Sequence, residues 1–293
     1  MWRIILILSL TLLFTGAAAA QESGVSPSTS SSQPVDSESA RDDAELIEGV
    51  KTGDLAKILK LLDQGVNPDA TDDDGTTALS WAVKSNHPEV IEILLKRKAT
   101  VNKEDKTDGG TALDVAAAEG RADLAKLLIA HGADVNHKDN SGHTALMLAA
   151  FGATLKKAPI WLASSFFEIN EDDVLFKMMG DEHLGAAKLL LDAGANVDAQ
   201  GGDCSLTALM VAAMGGNVEL TELLLKRGAN VKLVDGEWTA LKFAEELDSP
   251  EASKQVSEEV DDEDQRQAFL NWLHFTAPGR REVAAMLRKA GAN

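Results

Sequence analysis

The chain has 293 residues, 44% hydrophobic and only 4% aromatic, and its 47 Asp and Glu outnumber 28 Lys and Arg to give a formal net charge of −19. An acidic surface repels nucleic acid and anionic lipid and favours basic, cationic or neutral apolar partners. A single cysteine, Cys204, excludes an intramolecular disulfide, so stability has to come from packing.

Residues 1–20 stand apart. Arg3 supplies a positive start, Ile4 to Phe14 an apolar stretch, and Ala18-Ala19-Ala20 a small-residue cleavage site before Gln21. That order is the signature of a secretory signal peptide. An uncleaved anchor is the alternative, although the apolar stretch is short for a span. No Cys follows the alanines, which disfavours a lipid-anchored form. Residues 21–41 hold eight serines with Pro27 and Pro34 and no large apolar run. Such a segment buries too little to fold and is expected to be a disordered spacer. The signal, together with the lack of any Asn-x-Ser/Thr site, points to a bacterial periplasmic or secreted protein, expected as a monomer without membrane insertion once the signal is removed.

From residue 42 onward the chain repeats. Thr-Ala-Leu-x-x-Ala begins at Thr77, Thr111, Thr144, Thr207 and Thr239. Successive starts lie one near-constant period apart, except that the step from Thr144 to Thr207 is close to two periods. A second landmark runs alongside: Gly65-Val66-Asn67, Gly132-Ala133-Asp134, Gly194-Ala195-Asn196, Gly228-Ala229-Asn230 and Gly291-Ala292-Asn293, with Lys98-Ala99-Thr100 the imperfect copy. The Thr hydroxyl suits a helix N-cap. Ala and Leu behind it suit a helix held closely between neighbours. A second apolar-periodic run follows, such as Val90 to Leu95 or Val218 to Leu225. Gly then ends that helix in the left-handed conformation. Each unit is therefore predicted to be helix, loop, helix, turn. An array of such units has no single central core, because each unit leans on the next.

A period of about 33 residues opened by Thr-x-Leu-x-x-Ala resembles the ankyrin repeat. The family's usual Thr-Pro-Leu-His is here Thr-Ala-Leu followed by Ser80, Asp114, Met147, Met210 or Lys242. The missing Pro removes a first-turn restraint and the missing His a loop hydrogen bond. The resemblance covers residues 42–293 and implies an all-α solenoid of about six helix-turn-helix repeats. The first unit, Asp43 to Ala70, lacks the Thr motif and looks like an N-terminal cap. The resemblance further implies a non-enzymatic protein-binding module, with partners bound on the concave face of the first helices and at the hairpin tips.

Two units are too long. In the regular units the Thr and its landmark are Thr77 and Lys98, Thr111 and Gly132, and Thr207 and Gly228, always the same distance apart. In the fourth unit the pair is Thr144 and Gly194 and in the sixth Thr239 and Gly291, more than twice as far apart. Insertions nearly as long as a whole repeat are thus expected between the two helices of those units, at about 154–182 and 249–278. Of the eleven aromatics after the signal, seven fall there: Trp161, Phe166, Phe167, Phe176, Phe269, Trp272 and Phe275. Asn170 followed by Glu171, Asp172 and Asp173 reads as one helix start. Ser249-Pro250-Glu251 reads as another, with Pro in its first position. Either the insertions fold back as helical hairpins that bury these rings, or some rings form a partner site, since aromatics dominate interface hot spots. At least one of Trp161, Phe166 and Trp272 is expected to stay accessible.

The first helices offer a second candidate surface. Positions three and seven past each Thr share a face: Ser80 and Lys84, Asp114 and Ala118, Met147 and Phe151, Met210 and Met214, Lys242 and Glu246. The middle of this strip is apolar and Met-rich, which suits adaptable binding, unless the first insertion covers it. The expected contact residues for a protein partner are therefore Met147, Phe151, Trp161, Phe166, Met210, Met214 and Trp272.

Signals for chemistry are weak. His131, His137 and His143 fall in a helix end, a turn and a pre-helix loop. Asp72-Asp73-Asp74-Gly75 and Asp261-Asp262-Glu263-Asp264 lack the alternating ligands of a calcium loop. No Gly-x-Ser-x-Gly elbow or phosphate-binding Gly loop occurs, and Cys204 sits in a predicted turn. No catalytic residue, metal or cofactor is expected. The alternative function is an inhibitor or immunity-type protein that masks an exported enzyme through its acidic face.

Overall fold

The structure, a computed structural model, describes residues 37–155, 181–202, 205–247, 249–259 and 263–292. Helices α1 (Ser37–Thr52) and α2 (Leu55–Asp63) form the first unit, α3 (Ala78–Lys84) and α4 (Pro88–Lys96) the second, and α5 (Ala112–Ala118) and α6 (Ala122–Ala130) the third. The fourth holds α7 (Ala145–Leu155) and α8 (Asp181–Asp192), and the fifth α9 (Ala208–Met214) and α10 (Val218–Lys226). The sixth holds α11 (Ala240–Glu246), α12 (Pro250–Glu259) and α13 (Glu263–Lys289). The described residues contain isolated bridges but no strand. The fold is an all-helical ankyrin-type solenoid.

The recurring motif has a packing explanation. Its first Ala (Ala78, Ala112, Ala145, Ala208, Ala240), its Leu (Leu79, Leu113, Leu146, Leu209, Leu241) and its second Ala (Ala82, Ala116, Ala149, Ala212, Ala244) are buried in every copy. Each first helix packs between the first helices of its neighbours, so the alanine positions have no room for a longer side chain. The second helices add Ile58, Leu61 and Leu62, then Val90, Ile91 and Leu94, and so on to Val283 and Leu287. One apolar cluster therefore runs from Leu46 to Ala292. Stability propagates from unit to unit.

The Thr hydroxyl accepts the amide three residues on at Thr77, Thr111, Thr207 and Thr239. At Thr111 the backbone N–H donates in return to the Asp114 carboxylate and completes a capping box. Thr144 departs from the rule, since its buried hydroxyl has no hydrogen-bond partner. The landmark glycines Gly65, Gly132, Gly194, Gly228 and Gly291 all have φ between +84° and +94°, and a Cβ at any of them would meet nothing within 4 Å. Backbone conformation and not space demands glycine there. Lys98 accordingly adopts φ +71° at its copy, a conformation that costs about 1–2 kcal/mol outside glycine.

Bonds between units repeat with the same period. Thr100, Asp134, Asn196 and Asn230 each donate a backbone N–H to the side chain of Asp69, Asn102, Asn136 or Asp198 in the unit before. A second series ties the start of one second helix to the first helix of the preceding unit. His87 meets the Lys51 carbonyl at 3.4 Å, His183 the Ala118 carbonyl at 2.9 Å, and Asn217 donates to the Ala153 carbonyl at 2.9 Å.

Two expected boundaries fall inside helices. Helix α1 begins at Ser37, inside the segment assigned to the spacer, because Arg41 and Glu45 pair one turn apart and Leu46, Ile47 and Val50 give the helix a buried stripe. No break in secondary structure marks the expected end of the second insertion at about 278. Its last part and the second helix of the sixth unit are one continuous helix, α13, which runs through Pro278. The insertion's opening helix starts at Pro250 as expected, with Ser249 Oγ accepting the Ala252 amide. Cys204, the helix start at Asn170, and Phe167 and Phe176 lie outside the described residues.

Candidate interaction surface

The first-helix face is organised by helix geometry. A Cα–Cβ bond leans toward the helix N-terminus, so a side chain three past the Thr points back under the cap. Ser80 and Asp114 are buried there, and so are Met147 and Met210, each 1% exposed. Met214, at the end of α9, is 4% exposed because α9 lies between α7 and α11 and α13 crosses it. The expected accessible methionine strip is therefore corrected: Met147, Met210 and Met214 are core residues. Phe151 is half-buried, with its ring edge-on to His143 at 6.2 Å.

Lys84, Ala118 and Glu246, seven past the Thr, are exposed. The accessible aromatics of this face sit at its ends. Half-buried Trp81 donates Nε1–H to Asp72 at 2.7 Å and carries the Lys51 ammonium 4.0 Å and the Lys84 ammonium 5.1 Å from its ring centre. At the far end Trp238 stacks on Phe243 at 5.0 Å, with the Lys242 ammonium 5.0 Å away. Neither cluster was foreseen. Trp81 and Lys84 were legible at fixed offsets from Thr77, but Lys51 comes from another unit.

Trp161 and Phe166 lie outside the described residues. Trp272 is half-buried against Phe269, with ring centres 5.5 Å apart and the Arg280 guanidinium 6.0 Å from its ring. Its indole N–H is buried without a hydrogen-bond partner. Phe269 and Leu273 are core. For the described part of the second insertion, the fold-back reading therefore holds for these side chains. Phe275 is the exception: it is 54% exposed on α13. On the same helix Arg280, 1% exposed, donates to the carbonyls of Leu247 at 2.9 Å and Leu273 at 2.7 Å and to the Thr276 hydroxyl.

Several carboxylates are shaped by burial. Burial pushes Asp105 up against the opposing bond from the Thr77 amide at 2.7 Å. Glu119 is likewise raised by burial, although it pairs with Arg121 at 2.6 Å. Asp139 goes the other way: burial opposes its charge, but hydrogen bonds from the His143 ring and backbone outweigh that and lower its pKa. His131 caps α6 and His137 lies in the following turn. No group of three or more potential metal ligands occurs among the described residues.

The model of the family described as ankyrin repeats, three copies, matches residues 46–139, 108–173 and 175–267. The chain belongs to the ankyrin-repeat family. Over 190 residues it is 34% identical to the ankyrin repeat and KH domain-containing protein mask-1 of Caenorhabditis elegans. That match takes in 63% of this chain but only 7% of the worm protein's length. Ankyrin repeats in general mediate protein–protein interaction and are typically not enzymes. In this ankyrin array two fourth-position residues bond back to the capping Thr: Asp114 accepts the Thr111 amide, and Ser80 accepts the Thr77 hydroxyl. On the outer side, α10 and α13 leave an open groove of about 450 Å³ lined by Val218, Glu222, Leu225, Glu282, Met286 and Lys289. It is a surface trough rather than a closed pocket.

Proposed function

We propose that this ankyrin array binds a protein partner outside the cytoplasm as a monomer, through the ends of its concave first-helix face, its hairpin tips and the second insertion. Phe275 carries the reading. Among the described aromatics it alone is exposed, while Trp81, Phe151, Trp238 and Trp272 are half-buried and Phe243 and Phe269 are core. An aromatic ring left in water gains by being covered by a partner, and such residues dominate interface energies. Trp81 with Lys51 and Lys84 gives the concave face a second anchor. Export rests on the Arg3-to-Ala20 signal. No described helix is long and apolar enough to cross a membrane.

The test is affinity capture from native extract with the intact chain against Phe275→Ala and Trp81→Ala. Loss of the same partner from both variants supports the surface; retention of every partner by the double variant removes it. Mass spectrometry of the mature N-terminus checks export, with Gln21 expected as the first residue. The net charge of −19 favours a second reading, in which the chain masks a basic exported enzyme. Inhibition of a co-purifying basic enzyme, relieved by salt, would select it.

A further inference from the structure

We propose that Asp114, His137 and Glu104 form a pH-dependent clamp that ties the third unit to the hairpin before it, closed when both imidazole nitrogens carry protons and weakened when one proton leaves. The geometry sets this up. His137 Nδ1 lies 3.0 Å from Asp114 Oδ2, and its Nε2 lies 3.3 Å from Glu104 Oε1. Both partners are carboxylate oxygens. A neutral imidazole has one N–H and satisfies one of them; an imidazolium donates to both. Asp114 is 3% exposed, and its second oxygen, Oδ1, is buried without a hydrogen-bond partner. A buried carboxylate so placed depends on a nearby positive charge. Its other partners, the Thr111 amide and hydroxyl, are neutral.

The titratable groups facing His137 are Asp114 from α5 and Glu104 from the hairpin before it. Burial disfavours the imidazolium, but the two carboxylates outweigh it and hold His137 above the ordinary 6.5. Burial likewise raises Asp114 above 3.8. Both shifts have one sign. The contribution of His137 is fully present below 6.5 and is lost as pH rises through its folded-state value; that of Asp114 is lost over a lower window. The clamp reaches further than one junction. The turn that carries His137 is bonded onward to the turn that ends the fourth unit: Asn136 accepts the Asn196 amide and Lys138 donates to the Gln200 carbonyl. The middle hairpins of the array thus tighten together on acidification.

The experiment is an NMR titration of the histidine ring protons in the full chain between pH 5 and 9, paired with urea unfolding of wild type and His137→Gln. His137 is expected to titrate above 6.5 and to fall toward 6.5 in Asp114→Asn, with a smaller fall in Glu104→Gln. The unfolding-constant ratio of His137→Gln to wild type is expected to shrink as pH rises, about tenfold for each unit by which the folded pKa exceeds the unfolded one. Comparing ratios cancels the general relief of acidic self-repulsion at low pH. A His137 that titrates at or below 6.5, or a ratio flat across the range, overturns the clamp. If the glutamine variant does not fold, the wild-type titration and Glu104→Gln, at an exposed site, decide alone.

Discussion

In the fifth unit Thr207 caps α9, Gly216 turns the chain, Asn217 caps α10 and bonds the Ala153 carbonyl, and Gly228 ends the unit. In the sixth, Thr239 caps α11 and Gly291 ends the unit, but α12 and a 27-residue helix stand between them. There the turn and cap are replaced by a crossing and a buried cation. Gly279 of α13 lies so close to Gly216 that an added Cβ would sit 2.2 Å from the Gly216 carbonyl oxygen. Arg280 then bonds the Leu247 carbonyl at the end of α11. The comparison teaches that a regular unit keeps its determinants within a few residues of one another, whereas the enlarged unit depends on contacts between distant residues.

The largest effect is expected where that difference is sharpest. Gly279→Ala forces backbone against backbone and should cost about 3 kcal/mol in urea unfolding. Gly228→Ala, with open space at its Cβ and only φ +84° to bear, should cost about 1 kcal/mol. Equal costs would mean that the crossing is not tight. Next comes Arg280→Met, which keeps bulk but removes the buried guanidinium that donates to the Leu247 and Leu273 carbonyls. A loss of about 2–3 kcal/mol is expected, and an unchanged midpoint would show that the arginine is incidental.

Smaller effects test the regular units. Thr111→Ala should cost about 1 kcal/mol for a lost cap. Thr144→Ala, whose hydroxyl bonds nothing, should cost close to none; a matching loss at both would return Thr144 to the rule. Lys98→Gly relieves a left-handed lysine and should raise stability by about 0.5–1 kcal/mol. A lower melting temperature would show that the Lys98 side chain contributes more than its backbone costs.

The repeat, its helices and its caps were legible because they rest on spacing. Thr77 and Ser80, or Leu225 and Gly228, lie within one turn of each other, and hydrogen bonding and φ preference act at that range. Lys98 was legible as the imperfect landmark for the same reason. The candidate surface was less so. The offset of three that placed Met147 and Met210 on a helix face was correct, but it does not say which neighbour covers that face. Trp272 and Phe275 share one insertion and one helix, yet one packs on Phe269 and the other meets water. Nothing in their order in the chain distinguishes them.

What the sequence by itself determined was the period: where each helix starts, which residue ends it, and which alanines and leucines turn inward, all consequences of bonds closing within four residues. What only the tertiary structure decided was which inward or outward position had a neighbour. It merged the end of the second insertion into α13, sank the methionines, brought Lys51 over Trp81, and set His137 between Asp114 and Glu104. Those outcomes depend on residues separated by a whole unit, and their meeting is fixed by the stacking of helices, which no local spacing records.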